Sequence, residues 1–229
     1  MIDGFFKFPT TPHLATFSVV DIRADKVMSE SERNEFLQHK IIVEEKVDGA
    51  NLGISFDDGG NICVQNRGSY LHLPWVGQWK KLQDWLASRM DELFDVLSNK
   101  YILFGEWCYA QHSIFYDRLP DWFLGFDIFD REFTLFLSSI RCDEFFSKMG
   151  IVHVPLISRG YFTLFDLNKL ISKSKISREA AEGLYLRIEQ GEWLLQRAKL
   201  VRPEFIQSVE KHWSHSTIKP NKLSFEGDE

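Results

Sequence analysis

Apolar residues along this chain recur with two different periods, and each change of period marks a new element. Residues Ile41 to Glu45, Leu52 to Phe56 and Ile62 to Gln65 are short apolar runs, the last two joined across Asp57-Asp58-Gly59-Gly60-Asn61. They predict a β-meander. Between Val76 and Asn99 the period lengthens: Trp79, Leu82, Leu86, Leu93 and Leu97 fall at spacings of three, four and seven. That predicts one amphipathic helix lying on a sheet. Strands resume at Tyr101 to Trp107 and at Trp122 to Phe129, the second almost wholly apolar and therefore expected to be central. Helices are expected at Ser138 to Met149, closed by Gly150, and at Asp166 to Ser172. Gly183 to Ile188 and Trp193 to Leu200 alternate across a short connection and predict a hairpin. A last helix is expected from Pro203 to about Trp213. This order is that of an α+β fold with mostly antiparallel sheets and flanking helices. No repeat or linker divides residues 1–229, so a single domain is expected, with a short helical extension at about 203–229.

Composition narrows the function classes. With 27 Lys and Arg against 33 Asp and Glu, the net charge of −6 argues against coating nucleic acid by bulk charge; any such binding must be local. A local basic stretch exists: Arg197, Lys199, Arg202, Lys211, Lys219 and Lys222 face only Glu204 and Glu210, with His212, Trp213 and His215 interleaved. The pattern suits phosphate contact with base stacking, and equally a solvated helix face. Cys63, Cys108 and Cys142 form no C-x-x-C pair, which points to a reducing, cytoplasmic setting. The N-terminus has no basic leader, and no apolar run reaches the ~20 residues of a membrane span, so no membrane association is expected.

The sharpest local signal is Glu45-Lys46-Val47-Asp48-Gly49-Ala50-Asn51, a lysine at a strand end among polar side chains before a glycine turn. A lysine attacks as a nucleophile only when its amine is neutral, which requires lowering its ordinary pKa of ~10.4. Other charged residues stand at strand positions further on: Arg67, Glu106, Asp127, Glu182 and Lys199. Taken singly, each has a structural explanation, from a solvated turn lysine to a core role for Phe126 or a hydrogen-bonded His112.

Taken in order, they resemble the motif set of the covalent nucleotidyltransferases, the superfamily of ATP-dependent ligases and mRNA capping enzymes. Lys46-Val47-Asp48-Gly49 is similar to the nucleophile motif, Asn66-Arg67-Gly68 to the arginine motif, and Phe104-Gly105-Glu106-Trp107 to the acidic ribose motif. Phe123 to Ile128 resembles the nucleobase-stacking motif, Glu182 to Arg187 the late acidic motif, and Arg197-Ala198-Lys199 the final basic one, with Arg197 where the family usually has lysine. Asn51, the Arg-x-Lys ending and Tyr109 to Ile114 favour the RNA ligase domain of the second phage RNA ligase class. The resemblance implies an adenylyltransferase (ATP-grasp-like ligase) core; no OB-fold is expected, since only 30 residues follow Lys199. It also implies an ATP-dependent RNA ligase joining a 5′-phosphate to a 3′-hydroxyl through a lysyl-AMP intermediate and an adenylylated RNA end.

Carried over by position, Lys46 is the nucleophile, with Arg67, Glu182, Arg197 and Lys199 as further catalytic residues. Glu45, Lys46, Asn51, Arg67, Glu106, Phe126 and Lys199 form the nucleotide site, and Glu182 and Glu106 hold Mg2+ or Mn2+. RNA with 5′-phosphate and 3′-hydroxyl ends is the implied partner; an RNA-repair partner protein is a candidate, and the sequence leaves open whether one supplies a further domain. A DNA nick ligase, a capping-type guanylyltransferase and a silent nucleotide- or RNA-end-binding module remain the alternatives.

Overall fold

A computed structural model describes residues 5–16, 27–171, 174–202, 205 and 218–224. The helix expected from Pro203 and most of the basic and aromatic stretch beyond it lie outside the described residues.

Two sheets carry the fold. The first has the order β10-β9-β1-β8, from β1 (Ile41–Lys46), β8 (Leu156–Gly160), β9 (Gly183–Gln190) and β10 (Trp193–Val201). The second runs β3-β2-β4-β5-β6: β2 (Ala50–Phe56), β3 (Ile62–Gln65), β4 (Tyr101–Trp107), β5 (Phe123–Asp130) and β6 (Leu135–Phe136), with β7 (Val152–His153) beside β5. The pairings between these ten strands are antiparallel except β5 with β7. The late hairpin and the apolar strand inside the sheet are where their patterns place them; β5 is buried at all eight positions. The expected meander is a correction: β2 and β3 pair as a hairpin, but β1 lies in the first sheet between β8 and β9, because the turn after Lys46 carries the chain from one sheet to the other. Cys63, Cys108 and Cys142 are free thiols.

Helix α1 (Glu30–Phe36) opens with a capping box between Ser29 and Glu32. Helix α4 (Ser139–Met149) starts under the Ser138 hydroxyl and ends on Gly150 at φ 62°, a left-handed conformation that glycine adopts without steric cost. Helix α5 (Leu164–Leu170) is capped by Thr163 and Asp166.

The single helix expected from Val76 to Asn99 is a correction. The segment forms a 3-10 turn at Gly77–Trp79, then α2 (Leu82–Ala87) and α3 (Met90–Leu97). The chain leaves helical geometry at Arg89 (φ −137°), where Ser88 Oγ donates to the Trp85 carbonyl and Arg89 reaches Asp121 at 2.7 Å while lying over the Trp85 ring. The apolar period survives the break because both helices press Trp85, Leu86, Leu93 and Leu97 into the same core.

Three apolar layers result. One lies on the outer face of the first sheet, where Ile41, Val43, Leu184, Leu186, Ala198 and Leu200 pack with Phe36 and Leu167 from α1 and α5. Another lies outside the second sheet against α2, α3 and α4. Between the sheets the halves differ: the second offers Phe104, Phe126, Phe129 and Phe136, while the strands of the first turn Glu44, Lys46, Tyr185, Arg187, Arg197 and Lys199 away from their own apolar layer. A sheet face this polar needs partners for its charges, and they are supplied by an ion-pair network at one end and a cleft at the other.

Candidate active site

The cleft lies between the sheets, where β1 ends and the chain turns into β2. Its cavity volume is about 170 Å3, and it is lined by Glu45, Lys46, Asn51, Arg67, Glu106, Phe126, Glu182 and Lys199, together with Phe8, Thr11, Val47, Val154 and Tyr185. Register explains the convergence. Lys46 pairs with Gly183, which places Glu182 beside the strand end; Asn51 pairs with Glu106; Tyr185 pairs with Lys199 and, on its other side, with Glu44.

Lys46 Nζ is 2.6 Å from Glu182 Oε2, and Glu106 accepts the Gly49 N–H at 3.1 Å. Burial works to lower the Lys46 amine, but Glu182, Glu106 and Asp48 outweigh it and hold the amine above its ordinary value. The resting lysine is an ammonium, against the sequence expectation of a lowered amine, because three carboxylates surround it. Loss of water pushes Glu106 and Glu182 in turn up to about 7, with Lys46 only partly offsetting the shift. Lys199 acts on Glu182 and Arg67 on Glu106 in the same sense, more weakly than Lys46.

Asn51 is half-buried, and its Oδ1 has no hydrogen-bond partner among the described residues. An orphaned acceptor facing a cleft is the mark of a site shaped for a ligand. Phe126 lies against Phe8 and Tyr185 in the cleft wall, and Arg67 stands exposed at the mouth on a turn closed by Asn66 Oδ1. A β-bulge aims Phe126: Phe104 pairs with Asp127 and Gly105 with Gly125, so Phe126 is the extra residue. Consecutive side chains, Phe126 and Asp127, therefore both face the first sheet.

The remaining predicted residues stand apart from this group. Glu45 lines the cleft, but its carboxylate accepts the Ser174 hydroxyl and the Lys175 N–H (2.9 Å), and its own N–H donates to Pro155 O (2.8 Å). Arg197 is one row of the sheet away from Lys199 and does not line the cleft; its guanidinium lies over Phe136 and donates to Asp127 Oδ2 at 3.1 Å. Asp127 is wholly buried and bonded to Tyr185, Arg187 and Arg197, a structural role. His112 meets Gln78 Oε1 at 3.0 Å.

Thr11 and Phe8 are cleft residues that periodicity misses, because they belong to an irregular segment. It is pinned along β10 by the Leu14 N–H to Lys199 O bond (2.8 Å) and the Lys199 N–H to Pro12 O bond (2.9 Å). Tyr185 was legible as the inward position of an alternating strand.

Glu182 and Glu106 fit a divalent cation in charge and donor type. No group of three His, Cys, Asp or Glu among the described residues could hold one alone. Magnesium, which keeps waters and takes phosphate oxygens beside one or two carboxylates, suits such an incomplete set.

The sequence pattern of the RNA ligase family matches residues 39–201. No curated protein matches the chain closely enough to count. Among solved structures, Naegleria gruberi RNA ligase with PPi superposes with a TM-score of 0.62 at 18% identity, covering 90% of this chain and 65% of that one. A variant of that ligase with ATP and Mn gives 0.63 at 16%, covering 90% and 58%; another, with AMP and Mn, gives 0.57 at 18%, covering 88% and 63%. At these identities the likeness shows the shared fold, and the chain spans less than two thirds of the length of each.

Proposed function

The chain belongs to the RNA ligase family, and from that premise we propose that it is an ATP-dependent RNA ligase that carries AMP on Lys46. The observation that carries the reading is the meeting in one cleft of Lys46, Glu182, Glu106, Lys199, Asn51, Arg67 and Phe126.

Phe126 covers one face of the adenine, and Glu106 accepts a hydrogen bond from the ribose. A divalent cation, when bound, supplies positive charge to the two carboxylates and to the phosphate oxygens. Lys46 passes a proton to the Glu182 carboxylate 2.6 Å away and, as the neutral amine, attacks the α-phosphorus of ATP. A nitrogen–phosphorus bond forms, the bond from that phosphorus to the bridging oxygen breaks, and pyrophosphate leaves with the electron pair. Lys199 stabilises the charge that gathers on the phosphoryl oxygens. AMP then passes to an RNA 5′-phosphate, and a 3′-hydroxyl displaces it to close the phosphodiester. Arg67 at the mouth and Asn51 in the wall receive the incoming end.

The test is incubation with α-labelled ATP and magnesium, followed by a denaturing gel. Acid-labile label on the protein is expected with ATP and not with GTP, and none on Lys46→Ala. Label on Lys46→Ala, or label from GTP alone, would overturn the reading.

A further inference from the structure

The turn that follows Lys46 is held from behind. Asp48 Oδ2 accepts the backbone N–H groups of Ser113 (2.7 Å) and Ile114 (3.1 Å), and the Asp48 N–H donates to the Tyr116 hydroxyl (2.8 Å). All three partners come from the loop 108–119, which forms no helix or strand of its own. A loop of that kind has few internal bonds to fix it, so its shape must be set by something else.

Residues 176–178 hold its far end, through Phe115, Asp117 and Arg118, and a strap formed by residues 218–224 holds the rest. The Gln111 N–H donates to Lys219 O (2.8 Å), the Asn221 N–H to Tyr109 O (2.9 Å), the Lys222 N–H to Tyr116 O (2.8 Å) and the Leu119 N–H to Lys222 O (3.0 Å). Asn221, only 3% exposed, sits at the middle: its Nδ2 donates to Cys108 O (2.8 Å) and Ala110 O (3.3 Å), and its Oδ1 accepts the Tyr116 N–H (2.9 Å). One buried amide thus ties three points of the loop together, and replacing it would leave each of those groups without a partner.

We infer that Asn221 is a positioning residue for the nucleophile: through the loop 108–119 it fixes the turn at Asp48 and thereby the reach of Lys46 into the cleft. The inference rests on the reading of Lys46 as nucleophile. In-line attack needs the reacting atoms within ~3.5 Å, and small displacements are costly. Sequence patterning gave no sign of this, because Asn221 lies more than a hundred residues from the loop it organises.

The full chain tests it. In Asn221→Ala, hydrogen exchange at the Asp48, Ser113 and Ile114 amides should speed up about tenfold or more, with amides of β5 unchanged. Label transfer from ATP at saturation should slow by at least about tenfold, while the half-saturating ATP concentration stays within about twofold. Unchanged exchange at these amides overturns the positioning role whatever the label does. So does an equal loss of rate and ATP affinity, which would mean that the whole cleft had loosened. If Asn221→Ala folds poorly, Tyr116→Phe asks the same question by removing only the oxygen that accepts the Asp48 N–H. Wild-type protein that takes no label would defeat the proposed function separately, leaving the exchange result to decide the role of Asn221.

Discussion

Arg197 and Lys199 stand two positions apart on β10 and share a face of the first sheet, yet their surroundings differ. Lys199 lines the cleft beside Glu182, where its charge draws that acid downward. Arg197 is 11% exposed at its side chain, with its guanidinium carbon 3.9 Å from the centre of the Phe136 ring, and bonded to a wholly buried Asp127. Its planar fork suits stacking and carboxylate recognition better than a lysine would, which gives a physical reason for arginine where the family usually has lysine. Arg197→Ala removes one of the three groups paired with Asp127 and should lower the unfolding free energy by about 2 kcal/mol. Lys199→Ala should leave urea unfolding within about 0.5 kcal/mol of wild type but cut label transfer by roughly a hundredfold or more, the usual worth of one aimed donor. Denaturation curves and label per folded molecule separate the two. Equal loss of label in both variants with stability intact would put Arg197 at the phosphate after all.

At the scale of elements, the bulge in β5 determines what the cleft contains, and its partner strand pays for it at Gly105. A Cβ on Gly105 would meet Phe123 Cζ at 2.3 Å and the Leu124 carbonyl at 2.5 Å, and the latter is backbone that cannot swing aside. Gly105→Ala should therefore cost about 2–3 kcal/mol and weaken ATP binding as Phe126 shifts, measured by chemical denaturation and by half-saturation of labelling. A variant as stable as wild type would show that the bulge relaxes freely. This bulge also marks the limit of what sequence could tell. Leu52 to Phe56, Trp122 to Phe129 and the late hairpin were legible because alternation or a long apolar run survives in them. Phe126 and Asp127 facing the same way breaks alternation, and only the register with β4 reveals it. β6 and β7, two residues each, are too short to show a period. The break at Arg89 was hidden for the opposite reason: the apolar period runs through it unchanged. Most of the cleft was legible because chemistry, unlike packing, depends on residue type at a strand end; Thr11 and Asn221 were not, because irregular segments bring them there.

At the scale of the whole molecule, the two sheets meet across buried charge. Arg187, wholly buried on β9, donates to Asp127, to the Phe126 carbonyl (3.0 Å) and to the Leu137 carbonyl (2.9 Å) of the second sheet, and to Glu189 (2.7 Å) of its own. His153 on β7 extends the tie, lying between Asp143 of α4 (2.5 Å) and the buried Glu44 of β1 (3.3 Å). Burial alone would push the His153 ring down, but Asp143 and Glu44 outweigh it and lift it to about 9, above its ordinary 6.5. A group bound more tightly to its proton in the folded state stabilises that state while it is charged. The contribution is therefore complete below pH 6.5 and disappears as pH rises through 9, and it amounts to at most on the order of 3 kcal/mol. Urea unfolding between pH 6 and pH 9.5 should show wild-type stability falling across that window, and His153→Gln should flatten the fall while lowering stability at the acidic end. The loss should appear as the two sheets parting together, because Glu44 and His153 belong to different sheets. A slope identical in wild type and variant would mean that the pH dependence arises elsewhere, with the cleft carboxylates Glu106 and Glu182 the next groups to test, since both titrate near 7. Those two have the same sign but a lower window: their raised values favour the folded state at low pH and lose that advantage between 4.5 and about 7. The window from 7.5 to 9.5 therefore isolates the histidine.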